Sequence, residues 1–203
     1  MTKTPIRGSV KTRLAAQIGE QKALELYRCF LLDLETTLEQ LKQDYIIYYT
    51  PSKKELQELL GEQTYHKQVG ANLGERLYNG LELTKRHEYS HAVALASDIP
   101  DITPNYLRKT LKALKKHDAV IGPSTDGGYN LIGLKLSKNK KDIFTGVPWG
   151  TETLLDETLE RLEGYSVHIL PPWRDIDNVT DLTKHSLNPE SYTIKYLRDN
   201  KLV

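Results

Sequence analysis

The chain contains one cysteine, Cys29, and no run of apolar residues long enough to span a bilayer. A single cysteine cannot close an internal disulfide. Set between Arg28 and Phe30 in a helical pattern, it is expected to be a core thiol of a reducing compartment rather than a nucleophile. A membrane helix needs about 20 consecutive apolar residues, so no membrane association is expected. The N-terminus carries Lys3, Arg7, Lys11 and Arg13, but no apolar segment follows them, and it does not read as a signal peptide. A cytoplasmic location follows as the expectation. Charge of one sign is also missing: 28 basic against 27 acidic residues leave a net charge of +1. Nucleic acid is therefore not an expected partner, and any phosphate recognition has to come from local charge. The phosphate-loop pattern G-x-x-x-x-G-K-[ST] is absent, as are H-E-x-x-H among the six histidines and the G-x-S-x-G of one hydrolase class.

What is present alternates. Apolar residues at helical spacing run from Gly19 to Gln43: Ala23, Leu24, Tyr27, Phe30, Leu31, Leu34, Leu38 and Leu41. Tyr45 to Tyr49 is β-branched and aromatic and reads as a strand before Pro51. A short helix capped by Ser52, a weaker strand over Tyr65–Val69 and a helix over Leu73–Arg86 follow. Ala92–Leu95 and Ala119–Ile121 read as buried strands, with an amphipathic helix from Pro104 to His117 between them, capped by Asp101. Tyr129–Leu136 is a further strand, Thr151–Leu162 a helix capped by Thr151, and Val167–Leu170 a last strand. Two small helices interrupted by Asn188-Pro189 close the chain. No repeat, linker or low-complexity tract divides it, so residues 1–203 are expected to form a single α/β domain, a three-layer αβα arrangement with a mostly parallel sheet. The first strand is only a stub, Met1-Thr2-Lys3-Thr4. A central strand is costly to lose, because its neighbours are left with unpaired backbone groups, so a truncated or misassigned start is the expectation.

Four segments carry candidate chemistry. Lys3, Arg7, Lys11 and Arg13 surround Gly8, and N–H groups at that turn together with the cations would grip phosphate oxygens. The same segment reads equally well as a solvated basic terminus. Asp98 lies just past a strand, where ligands of open α/β sheets bind, and suits a hard cation that takes oxygen ligands. Asp126-Gly127-Gly128-Tyr129 can let a ligand approach the backbone, with Tyr129 to stack on it, or can be a plain hairpin turn. Trp173 to Asn178 supplies Asp177 as the carboxylate facing a metal, with helix capping by Asp177, Asn178 or Asp181 as the competing account. Asn72 and Arg76 at a helix start suit an anion or a base edge. Trp149, on a loop before a helix, suits an acceptor pocket. For both of these, packing and capping are alternatives.

In order, the segments read K-x-P-x-x-G-x-V-K-T-R-L, N-L-G-E-R, S-D-x-P, G-P-x-x-D-G-G-Y-x-L-I-G, W-G-T and D-x-D-x-x-x-D-L. The series resembles the bacterial glycosyltransferase-A-like family often labelled as arsenosugar-biosynthesis glycosyltransferases. More distantly it is similar to the nucleotidyltransferases that make molybdenum-cofactor dinucleotides and to phospholactate guanylyltransferase. The match runs from Lys3 to about Leu182. The resemblance implies a nucleotide-diphospho-sugar transferase fold with Mg²⁺ or Mn²⁺. It places Lys11 and Arg13 in the phosphate-contacting segment, and Lys3, Gly8, Asn72 and Arg76, read from their own positions, are expected on the nucleotide side. Asp98 becomes a metal ligand and catalytic residue, and Asp177 a second ligand. Gly127, Gly128, Tyr129 and Trp149 fall on the acceptor side, with Asp126 as candidate base. Arg7 stands where the family usually has proline, which changes loop stiffness and adds a cation. The expected reaction is glycosyl transfer from a nucleoside diphosphate sugar to a small acceptor. Nucleotidyl transfer with pyrophosphate release and non-catalytic nucleotide binding are the alternatives, and a homodimer is one open assembly.

Overall fold

The structure, a computed structural model, describes residues 1–184 and 187–202. Its elements in chain order are β1 (Thr2–Lys3), α1 (Thr12–Ile18), α2 (Glu20–Glu39), β2 (Ile47–Thr50), α3 (Lys54–Leu60), β3 (Tyr65–Lys67), α4 (Leu73–Arg86) and β4 (His91–Leu95). Then come α5 (Pro104–Leu114), β5 (Ala119–Pro123), β6 (Tyr129–Lys135), α6 (Leu154–Arg161), β7 (Val167–Ile169), α7 (Val179–Leu182) and α8 (Tyr192–Asp199). The fold class is α/β, and three of the five strand pairings are parallel. No helix among the described residues is long and apolar enough to cross a membrane.

The chain divides into two compact units. The first holds Met1, Gln68–Ala96 and Asn105–Trp173. Its four-stranded sheet has the order β4-β6-β5-β7. β6 runs antiparallel to both β4 and β5, pairing Ile132 with Ala94 on one side and with Ile121 on the other. The two strands flanking α5 therefore run in the same direction with β6 inserted between them. Every residue of β5 is buried, as expected for a strand covered on both faces. Ala119, Ile121, Ile132 and Leu134 meet Leu77 and Leu81 of α4 and Phe144 in one apolar core.

The second unit holds Thr2–Lys67, Ser97–Pro104 and the residues from Arg174 on. β1, β2 and β3 form an all-parallel sheet in that order. Short as it is, β1 pairs Thr2 with Tyr49 and Lys3 with Thr50. The helical stripe of α2, from Ala23 through Phe30 and Leu31, buries against Val10, Leu14, Leu56, Ile176 and Leu197. Burial of each large apolar side chain is worth roughly 1.5–3 kcal/mol. Asp33 on α2 accepts N–H bonds from Tyr192 (2.7 Å) and Thr193 (3.0 Å), which seats the first turn of α8. Cys29 is half-buried, and burial pushes its thiol up to about 12, so at neutral pH it is a protonated, unreactive group.

Several expected boundaries are corrected. The first long helix begins at Glu20, directly after Gly19 at φ 87°, but stops at Glu39 instead of Gln43, and a short helix that the periodicity does not announce, α1, precedes it. Ser52 is not the N-cap of α3, although its hydroxyl still accepts from the Lys54 N–H at 3.2 Å. Asp101 lies three residues before α5, too far to cap it. Thr151 bonds to the Pro148 carbonyl instead of capping a helix, and α6 begins only at Leu154.

Candidate active site

Val10 and Leu14 are apolar and buried in the second unit's core, and they fix the polar residues between them. Lys11 takes a left-handed conformation there, φ 46° and ψ 49°, directly before α1. A residue with a Cβ pays of order 1 kcal/mol for that region and holds it only where its surroundings dictate it. The surroundings are three oxygens. The Lys11 ammonium donates to the Ile176 carbonyl (2.7 Å), Asp98 Oδ2 (3.0 Å) and Asp177 Oδ1 (3.2 Å). All three N–H bonds of a lysine are thereby used.

The Lys11 side chain is only 7% exposed, whereas those of Asp98 and Asp177 are 32% and 35% exposed. Burial alone would lower the Lys11 pKa. The charges of Asp98 and Asp177, and the bonds to them, outweigh it and hold the ammonium above its ordinary value. Arg13 reaches the other oxygen of Asp177 at 2.8 Å, but at 78% exposure this pair adds little stability.

Two loops deliver the carboxylates, and each is locked. The buried Ile176 donates its backbone N–H to the Asp98 carbonyl at 3.0 Å, tying the loops together. Past Asp177, Asn178 and Asp181 form a reciprocal capping box that starts α7. Asp181 Oδ2 also accepts the Asp177 N–H at 3.1 Å. The capping chemistry thus belongs to Asn178 and Asp181, and Asp177 is left to face Lys11. On the other side, the buried Tyr27 hydroxyl shares hydrogen bonds with Ser97 Oγ (3.0 Å) and Thr2 Oγ1 (2.8 Å), and it lies 3.2 Å from the Lys3 carbonyl that accepts from it. Tyr27→Phe removes this junction and with it the hydrogen bonds that Ser97 Oγ and Thr2 Oγ1 share with the buried hydroxyl. A loss of about 1–2 kcal/mol in chemical denaturation is expected, and no change would mean that the Asp98 loop is held by other contacts.

Lys11, Arg13, Asp98 and Asp177 are therefore brought together. Lys3 is an exposed residue of β1, and Gly8 sits at φ 75° in the turn preceding Lys11. Among the described residues no group of three or more His, Cys, Asp or Glu is gathered as a metal site. Two carboxylates that already converge on one positive charge do suit a small divalent cation completed by phosphate and water oxygens.

The remaining candidates belong to the first unit. Asn72 caps α4 by accepting the Glu75 N–H at 2.9 Å, and Arg76 Nε donates to the Gly70 carbonyl at 3.0 Å. Asp126 is exposed, and its Oδ1 accepts from the Gly128 N–H. Its segment turns the β5–β6 hairpin, where Gly127 has φ +87° and a Cβ would collide with the Glu152 backbone. Tyr129 and Trp149 meet edge to face, ring centroids 5.8 Å apart, and Trp149 Nε1 donates to the Phe144 carbonyl. Asp181 caps α7 together with Asn178, as the capping account of that segment expects, whereas Ser97 enters the sequence reading only as part of the S-D-x-P segment, and Tyr27 and the Ile176 backbone carry no expected role at the site. A tyrosine at a core position of a helix, or an isoleucine acting through its peptide group, carries no sequence mark of such a role.

A protein-family model described as an uncharacterized protein conserved in bacteria (DUF2064) matches residues 33–151. The chain is 35% identical to a crystal structure provisionally assigned as a nucleotide-diphospho-sugar transferase from Desulfovibrio desulfuricans G20. That match covers 98% of this chain and 92% of the other, with a TM-score of 0.92. It is 29% identical, over 66% of its length, to 2-phospho-L-lactate guanylyltransferase from Methanocaldococcus sp. (strain FS406-22), and it spans 57% of that relative. A cytidylyltransferase from Leptospira borgpetersenii, 16% identical over 86% of this chain and 84% of its own, shares the fold at a TM-score of 0.54. The fold is that of the nucleotide-diphospho-sugar transferases, and the likeness to phospholactate guanylyltransferase read from the motifs recurs here.

Proposed function

The chain belongs to the DUF2064 family, and from that premise we propose that it is a divalent-metal-dependent transferase acting on a nucleotide-activated donor, a nucleoside diphosphate sugar. The observation that carries the reading is the convergence of Asp98, Asp177 and Lys11 on one point, with Arg13 beside them. Asp98 and Asp177 would hold the cation, which when bound would supply positive charge to the donor's diphosphate. Lys11 and Arg13 carry the chain's own positive charge to the same place, and it would oppose the negative charge that grows on the leaving phosphate. The sugar-donor reading is supported by the Desulfovibrio likeness over nearly the whole chain.

Nucleotidyl transfer from a nucleoside triphosphate, with pyrophosphate release, is the second reading. It is favoured by the similarity to a guanylyltransferase, and the same four side chains would serve it. In the second unit, Lys3 and Gly8 are proposed as nucleotide contacts; in the first unit, taken by itself, Asn72 and Arg76 are proposed as nucleotide contacts, Gly127, Gly128, Tyr129 and Trp149 as acceptor contacts and Asp126 as base.

The test is a panel of nucleotides and sugar nucleotides with Mn²⁺, scored by thermal shift and then by product. Nucleoside mono- or diphosphate together with transferred sugar is the expected result. Pyrophosphate would instead establish the second reading. Stabilisation by nucleotide with no product from any donor would overturn both in favour of a non-catalytic binding protein.

A further inference from the structure

Lys11 is held in a way that phosphate binding does not explain. A lysine kept for a phosphate need only be near it, with its head in solvent until the ligand arrives. Here the ammonium is buried, all three of its donors are engaged, and two acceptors are the carboxylates proposed to hold the metal. The left-handed backbone at Lys11 is an independent sign that the surroundings impose this placement. Two carboxylates brought this close repel unless a positive charge lies between them, and here that charge is the lysine's.

We propose that Lys11 is a built-in placeholder cation. In the ligand-free protein it neutralises Asp98 and Asp177 and keeps their loops in place. A divalent metal entering between them displaces it, and the released ammonium is then free to pair with the donor's phosphate. Metal binding and the arming of Lys11 are one exchange, in which one cation leaves the carboxylates as another arrives. No bond is made or broken covalently. The inference rests on the proposed metal-dependent transferase reading, but its test contains no nucleotide.

Mn²⁺ is titrated into the wild-type protein and into Lys11→Met, with free Mn²⁺ followed by electron paramagnetic resonance. Removing the internal competitor should tighten Mn²⁺ binding about tenfold or more, within the usual range of coupling between sites. In thermal melts without metal, Lys11→Met should lose stability, and Mn²⁺ should restore more of it than it adds to wild type. Equal or weaker Mn²⁺ binding by Lys11→Met would overturn the proposal, because a lysine that merely helps the site would leave it no better for metal when removed.

If Lys11→Met does not fold, the wild-type protein decides. Acetic anhydride labelling read by mass spectrometry should find Lys11 protected without metal and several-fold more reactive with Mn²⁺, while exposed lysines such as Lys3 do not change. Continued protection with Mn²⁺ bound would overturn the exchange. A failed donor panel beside a tightened Lys11→Met site would count against the transferase reading alone. A productive panel beside an unchanged site would count against the placeholder alone.

Discussion

Asp98→Asn is expected to lower turnover by about 10²–10³-fold while leaving the fold in place. The substitution keeps the size of the side chain and one oxygen that can accept from Lys11, 3.0 Å away in the native protein. It leaves untouched the Asp98 carbonyl that receives the Ile176 N–H. What disappears is one negative charge in a partly shielded place. Removing a single preorganised electrostatic contact at a reacting centre costs other enzymes about 10²–10³ in turnover, and a carboxylate that holds a cation against a diphosphate belongs in that range. The carboxylate is about a third exposed, so solvent screens its pairing with Lys11 and the stability change should stay within about 1 kcal/mol. Steady-state rates with the best donor of the panel, beside a denaturation curve, separate the two effects. Turnover within a few-fold of wild type would remove Asp98 from the reaction.

Gly74→Ala is expected to destabilise the protein by about 2 kcal/mol or more. In an ordinary helix the change would help, by roughly 1 kcal/mol. Gly74 is buried in the first turn of α4, and a Cβ there would collide with the Phe144 carbonyl oxygen and lie 2.8 Å from Trp149 Nε1. Those two groups are bonded to each other, so neither yields cheaply. Overpacking of this kind costs about 1–3 kcal/mol, occasionally more, and obstruction by backbone belongs at the upper end. For a chain of this length that corresponds to a loss of roughly 4–8 °C in melting temperature. A variant as stable as wild type would mean that the Phe144–Trp149 loop moves aside freely.

How much of this was legible in the sequence differs by the kind of interaction. α4 was legible to the residue, since its apolar stripe, its Asn72 cap and the polar run after Arg86 all mark the same bounds. α1 was not, because its seven residues lie inside the basic segment and Gly19, which separates it from α2, resembles an ordinary helix start. Asp98 and Asp177 stood out as carboxylates just beyond strands. That one lysine answers both was hidden, because the contacts span 87 and 166 positions and no local pattern encodes them. Gly74 was visible as part of a motif, but its reason, the close approach of a carbonyl from 70 residues downstream, was not.

The bond from the Ile176 N–H to the Asp98 carbonyl has a practical consequence for anyone mapping this protein by substitution. Both partners are peptide groups, which every amino acid supplies except that proline lacks the donor. An alanine scan would report the carboxylates and the lysine and pass over the feature that aligns them. At Ile176 it would register only a cavity in the core. Redesign meets the same divide: exchanging Tyr27, Ser97, Asn178 or Asp181 removes side-chain bonds that hold the two loops, but the hydrogen bond between the Ile176 and Asp98 peptide groups can be broken from the Ile176 side only by proline or by changing the length of the loop.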